Sequence, residues 1–201
     1  MYDQLASQEQ IDMTVAALKA NGMEAMTATT GNDAKAKLLA MIPQGVSVMN
    51  MTSVTLDTIS VATEIAEGGM YDPVRAKLMD KATPADRKRE LGAAPEWTIG
   101  SVHALTTDGK LIIASNTGSQ LPAYAYGAAH VIFVVSAQKI AKDLDEGMKR
   151  LYEHVLPLES ERANKAYNIT SGSFISKLLI INREIQPGRI TVIIVNEKLG
   201  F

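Results

Sequence analysis

Residues 115–120, Ser-Asn-Thr-Gly-Ser-Gln, bring together the hydroxyls of Ser115, Thr117 and Ser119, the amides of Asn116 and Gln120, and the flexible Gly118. Such groups hold a ligand through hydrogen bonds and dipoles, and with free backbone N–H groups at a helix start they suit an anion. No lysine or arginine lies in this stretch. A second polar cluster, Asn50, Thr52, Ser53 and Thr55, has the same character. His103 is a third candidate, because an imidazole can titrate near neutral pH. Each has a plainer reading as well. Thr52 or Ser53 can serve as a helix N-cap, residues 115–120 can be a polar capping loop, and a lone strand histidine can be structural.

The elements around these residues decide how they are presented. Leu111–Ala114 is an apolar run ahead of the first cluster. Pro122 suits a first helical turn, Ala123–Ala129 is rich in small residues, and Val131–Val135 is a second apolar run. This reads as a βαβ unit. Val46–Met49 likewise delivers the second cluster to a helix running to about Glu67. Two such loops in one parallel sheet open on the same edge, where α/β proteins bind ligands. His103 falls in a strand over residues 97–106, which Thr107-Asp108-Gly109 turns back into Lys110–Ala114 as a hairpin.

The flanking segments complete an α/β pattern. Ser7 caps a helix to about Asn21, Gly22 stops it, and Met23–Ala28 is a strand. Asn32 caps a second helix carrying Leu38, Leu39 and Ile42, which Pro43 closes. Residues 68–96, punctuated by Gly68-Gly69, Pro73 and Thr83-Pro84, read as a helical insertion or arm. Its Arg75, Lys77, Lys81, Arg87, Lys88 and Arg89 belong to a solvated exterior, or supply a cation to a ligand. Residues 143–155 form an amphipathic helix through Leu144, Met148 and Leu151, ended by Pro157. Residues 160–168 are a connection or another short helix. Residues 178–181 and 190–195 are apolar runs on either side of Gln186-Pro187-Gly188-Arg189, a type II turn signal, and read as a C-terminal hairpin. The alternative is that Phe174–Ile181 continues a helix. Leu199 and Phe201 predict a docked end.

Composition excludes several classes. A net charge of −2, a pI of about 5.9 and no basic cluster with aromatics argue against nucleic-acid binding. Zero cysteines exclude disulfides, thiolate nucleophiles and a cysteine-held iron–sulfur cluster in this chain. They also fit a cytoplasmic location. No signal-peptide h-region and no apolar run of membrane-spanning length is present. The chain has no GxGxxG, P-loop lysine, GxSxG or HExxH motif. Its three histidines lack metal-ligand spacing, Ser119 has no evident base, and Glu64, Glu67 and Asp72 suit a helix surface.

SVTLDTI at 53–59, LGAAPEWTIGSVHA at 91–104, IASNTGSQLPAYAYGAAHVIFVV at 113–135, VLPLESERA at 155–163 and PGRITVIIVNEKLGF at 187–201 together resemble the LUD (lactate utilisation) domain family. The likeness runs from about Ser7 to the end of the chain, and it is strongest to stand-alone members of the LutC/YkgG type. It implies one Rossmann-like α/β domain over residues 1–201, an open sheet similar to the ribose-phosphate isomerase and CoA transferase-like superfamily. It further implies a small anionic ligand, phosphorylated, CoA-bearing or carboxylate, at the loops leaving the sheet, and a homodimer. The resemblance implies L-lactate oxidation to pyruvate beside an iron–sulfur partner, with a stand-alone enzyme or binding protein for an anionic metabolite as the alternative. Many members carry an acidic residue where this chain has Asn116, ahead of Thr117, Gly118 and Ser119. An amide cannot act as a general base, so the resemblance supplies no catalytic residue there.

Overall fold

The computed structural model describes residues 2–168 and 171–201. At the N-terminus the local chemistry acts as its sequence predicts. Ser7 Oγ accepts the Gln10 N–H at 3.2 Å while Gln10 Oε1 accepts the Ser7 N–H at 2.9 Å. This capping box opens α1 (Gln8–Ala20), and Gly22, at φ +81°, releases the chain into β1 (Glu24–Ala28). The second helix, α2 (Gly31–Met41), starts earlier than Asn32. Its cap is Thr30, whose Oγ1 accepts the Asp33 N–H at 3.1 Å.

The chain continues through β2 (Ser47–Asn50), α3 (Val54–Thr58) and α4 (Val61–Glu67). The single helix expected to Glu67 is thus two, broken where Ser60 takes φ 57°. Residues 68–96 hold β3 (Asp72–Pro73), α5 (Val74–Met79) and α6 (Ala85–Ala93). Then come β4 (Trp97–Gly100), β5 (Ala104–Thr106), β6 (Leu111–Ser115), a π-helical turn at Ala123–Gly127, β7 (His130–Ser136) and β8 (Ile140–Ala141). The last elements are α7 (Leu144–Arg150), α8 (Leu156–Tyr167), β9 (Lys177–Ile181) and β10 (Ile190–Val195).

The strands form two sheets. An open parallel sheet has the order β1-β10-β7-β4-β2-β3, and a smaller mixed sheet the order β8-β5-β6-β9. Central strands of a parallel sheet are buried on both faces and read as continuous apolar runs. In β7, Val131, Phe133 and Val135 pack into one core with α1, α5 and the second sheet. Ile132 and Val134 pack into another with α2, α3 and α4. The far face of the small sheet is covered by Leu151 and Val155. Residues 68–96 are tied in through β3 on β2 and through Val74 in the first core.

Further sequence expectations are corrected: the single strand over residues 97–106 is two, β4 in the open sheet and β5 in the small one, with His103 between them. Leu111–Ala114 and Val131–Val135 do not form a βαβ unit, because β6 lies in the second sheet. The C-terminal runs do not form a hairpin: β9 pairs antiparallel with β6, while β10 inserts between β1 and β7. The Gln186–Arg189 turn is present, with Gly188 at φ +73°, and there it switches sheets. Arg189 anchors that switch through an ion pair to Glu184 at 2.6 Å and hydrogen bonds to the carbonyls of Ala123, Tyr124 and Ala128. Finally, Pro157 does not end the helix. Proline lacks an N–H and crowds the carbonyl four residues back, and the wider π turn at Leu151–Val155 relieves both conflicts before α8 continues. Residues 160–168 are largely helix, and the helical alternative for Phe174–Ile181 is replaced by strand β9. The C-terminus docks, with Leu199 buried.

Candidate functional site

The chain crosses from the first sheet to the second at Ser101–His103, between β4 and β5. A cleft of about 330 Å³ lies against this crossing. Its walls come from the β2–α3 loop, the crossing itself, the loop after β6, Lys139, and the helical stretch from Leu151 to Arg162. The two polar loops therefore converge, although they leave different sheets. The topology that ruled out the βαβ unit still folds the small sheet's loop over the main sheet's edge.

Thr52, Ser53, Thr55, His103, Ser115, Asn116, Thr117, Ser119 and Gln120 all line the cleft. Asn50 and Gly118 do not. Asn50 is buried at the end of β2. Gly118 holds φ +84°, a conformation that suits glycine, and a Cβ there would run into the Lys177 side chain. Ser53 occupies the N-cap position of α3 without a side-chain capping bond, so capping does not account for its hydroxyl. The loop after β6 is largely self-satisfied. Ser115 Oγ accepts the Gly118 N–H at 2.8 Å, Thr117 Oγ1 donates to Ser119 Oγ at 3.1 Å, and Asn116 Oδ1 accepts from Ser176 at 3.1 Å.

The cations come from residues that sequence reasoning did not single out. Lys139 follows β7 and is 3% exposed. Its Nζ donates to Thr55 Oγ1 at 2.8 Å, Ser101 Oγ at 3.1 Å and the Val102 carbonyl at 3.2 Å. Burial, and secondarily Arg150, pushes its pKa down to about 7. Arg150 of α7 is 1% exposed. One of its Nη atoms donates to the His103 carbonyl, and its Nε and other Nη have no partner. Burial lowers its pKa to about 10, which leaves it charged at neutral pH. Neither residue makes an ion pair among the described residues. At the opposite wall Arg162 grips Glu159 through two bonds of 2.7 Å. Nothing in the residue pattern around Lys139 marks it as interior: a lysine just past a strand ordinarily reaches solvent. The basic residues of 68–96 are absent from the cleft lining.

His103 is not the near-neutral titrator that its residue type suggests. Its Nδ1 accepts the Ala114 N–H at 3.1 Å, so the ring proton sits on Nε2. Burial, then the charges of Lys139 and Arg150, depress its pKa to about 3. It is a neutral donor rather than a base. Tyr124 closes the floor, and a Cβ at Gly100 would collide with its hydroxyl. His130 stacks on Trp97 with ring centroids 4.2 Å apart and takes no part in the cleft. Among the described residues no group of histidine and acidic side chains could hold a metal ion. No helix of the described residues is long and apolar enough to cross a membrane.

Comparison with known proteins follows the same outline. The LUD domain family matches residues 11–195. The fold is similar to the crystal structure of a DUF162 family protein from Deinococcus radiodurans, with a TM-score of 0.61 and 11% identity over 96% of this chain and 100% of that one. No curated protein matches the chain.

Proposed function

This chain belongs to the LUD domain family, and we propose that its cleft binds a small anionic metabolite carrying a carboxylate or phosphate. One observation carries this reading. Lys139 lines the cleft and is buried there, and among the described residues no carboxylate pairs with it. Burying a cation without a counter-charge costs several kcal/mol, and an anion entering the cleft recovers part of that cost. The hydroxyls and amides of the two loops supply orientation rather than charge. Ligand pockets of about 300 Å³ and above are built this way, with a few convergent polar groups.

Size bears on which anion. At about 30 Å³ per water, the cleft has room for roughly eleven. Lactate has six heavy atoms and fills a fraction of that space, a sugar phosphate fills most of it, and a CoA ester fits only by its acyl end. Family membership supports L-lactate oxidation as the wider setting. In that setting the chain holds the hydroxy acid while a cluster-bearing partner takes the electrons, since no cysteine is present to hold a cluster here.

Thermal unfolding against L-lactate, pyruvate, a sugar phosphate and a CoA ester tests the reading. A ligand at 100 times its Kd adds about 2.7 kcal/mol. At roughly 2–4 °C per kcal/mol for a chain of this size, Tm rises by about 5–11 °C. A shift with the phosphate or CoA ester and none with lactate removes the lactate setting and keeps the anion site. No shift with any anion refutes the site.

A further inference from the structure

The Lys139 contacts carry a second meaning, which rests on the cleft being a ligand site. A charged ammonium has three protons to donate, and Lys139 Nζ has three acceptors: Thr55 Oγ1, Ser101 Oγ and the Val102 carbonyl. A neutral amine has two protons and one lone pair, so one of the three contacts must reverse. The Val102 carbonyl can only accept. Thr55 Oγ1 gives its own proton to the Leu199 carbonyl at 3.2 Å, so it too must accept. Ser101 is free to reverse, since its one other hydrogen bond among the described residues is a 3.5 Å contact to the Val102 carbonyl. Neutral Lys139 thus places its lone pair on the Ser101 hydroxyl. Ser101 is half-buried and lines the cleft. Burial brings Lys139 to a pKa of about 7, which populates this neutral form near neutral pH.

We propose that Ser101 and Lys139 are a nucleophile and its general base, and that the cleft transfers an acyl group from an anionic ester or thioester to water. Lys139 Nζ takes the Ser101 proton as Oγ bonds to the acyl carbon. The ammonium returns that proton to the leaving alkoxide or thiolate as the carbon–oxygen or carbon–sulfur bond breaks. Water then attacks the seryl ester, Lys139 takes a proton from it, and the same proton passes to Ser101 Oγ as the carboxylic acid leaves. A nucleophile and base at hydrogen-bond distance, with the base oriented by further groups, is the arrangement this chemistry needs. Thr55 and Val102 are the orienting groups.

The charged and titratable groups around the pair are Arg150 and His103 behind it, Tyr124 on the floor, whose phenol pKa is pushed up by burial, Asp57 on α3, and the Glu159–Arg162 pair across the cleft. Arg150 and neutral His103 do not change charge near pH 7, so a pH profile with its midpoint near 7 reports Lys139.

The test is labelling of the full chain with a fluorophosphonate, followed by mass spectrometry. The expected result is one adduct, on Ser101, whose rate rises with pH through a midpoint near 7. Lys139→Met should slow it by about 10²-fold or more. Lys139→Arg should not restore it, because a guanidinium cannot act as a base at this pH. Thermal unfolding of each variant checks that it is folded. If Lys139→Met does not fold, the pH profile of the wild-type protein decides alone. No adduct on Ser101, a flat pH profile, or a rate unchanged in folded Lys139→Met overturns the proposal. An anion-dependent rise in Tm without Ser101 labelling sinks acyl transfer and leaves the anion site standing.

Discussion

Replacing Lys139 with methionine keeps most of the side-chain volume and removes the charge. The structure then fixes a pH signature. In the unfolded chain a lysine titrates at about 10.4, and in the folded protein burial and Arg150 lower Lys139 to about 7. Between these values the unfolded state binds the extra proton and the folded state does not. Stability of the wild-type protein therefore rises with pH across this window, and the buried ammonium costs most below pH 7. At about 1.4 kcal/mol per pH unit, the gain from about pH 7 to about pH 9 is about 2 kcal/mol. With a urea m-value of about 2 kcal/mol/M, the midpoint moves by about 1 M. Urea unfolding of wild type and Lys139→Met at several pH values isolates this residue, because the other titrations are common to both proteins. The variant's stability relative to wild type should be highest at low pH, and the difference should fall by about 2 kcal/mol from about pH 7 to about pH 9. Parallel curves would show an ordinary, solvated lysine, and the charge argument for the cleft would fail with it.

Other perturbations separate packing from binding. Gly118→Ala should cost about 1–2 kcal/mol, from its positive φ and the crowding of Lys177, as a drop in Tm. Gly100→Ala should cost about 1–3 kcal/mol through overpacking against Tyr124, read by chemical denaturation. Arg189→Met should cost about 3–5 kcal/mol, since it leaves the half-buried Glu184 without its ion partner and takes a donor from the carbonyls of Ala123, Tyr124 and Ala128. Burial of Glu184 opposes its ionisation, but the Gln186 N–H, Arg189 and the Ile185 N–H outweigh it and hold the pKa below the ordinary carboxylate range. Its contribution is present above the unfolded value near 4.3 and is lost as pH falls through the folded one. Glu184→Gln should therefore flatten the acid limb of the stability curve, measured between about pH 5 and about pH 2.

The parts of the fold that were legible are those decided locally. Ser7 and Gln10 cap a helix wherever they meet a helical run, and Thr107-Asp108-Gly109 turns a hairpin by its own geometry. Both polar loops and their hydroxyls were visible for the same reason. What was not legible depends on which sheet a strand joins. Ile190–Val195 is β-branched and apolar, as a hairpin arm or a central parallel strand would be, and only long-range pairing puts it between β1 and β7. Lys139 looks like a solvent-facing residue beyond a strand until the second sheet, through Val102 and α7, closes over it. Ser101 gained its meaning from Lys139, 38 residues away. Pro157 does not stop the helix because a stop signal acts through one hydrogen-bond register, and the π turn before it changes that register.

The proposed anion site joins the 52–57 segment, the 101–103 crossing and the 115–120 loop around Lys139. A titration followed by amide NMR tests it directly, using inorganic phosphate, a sugar phosphate and the neutral sugar. The prediction is that phosphate-bearing ligands shift amides in all three segments with one common Kd, and that the neutral sugar leaves them in place. Shifts confined to one loop, scattered over the surface, or equal for the neutral sugar would contradict the claim.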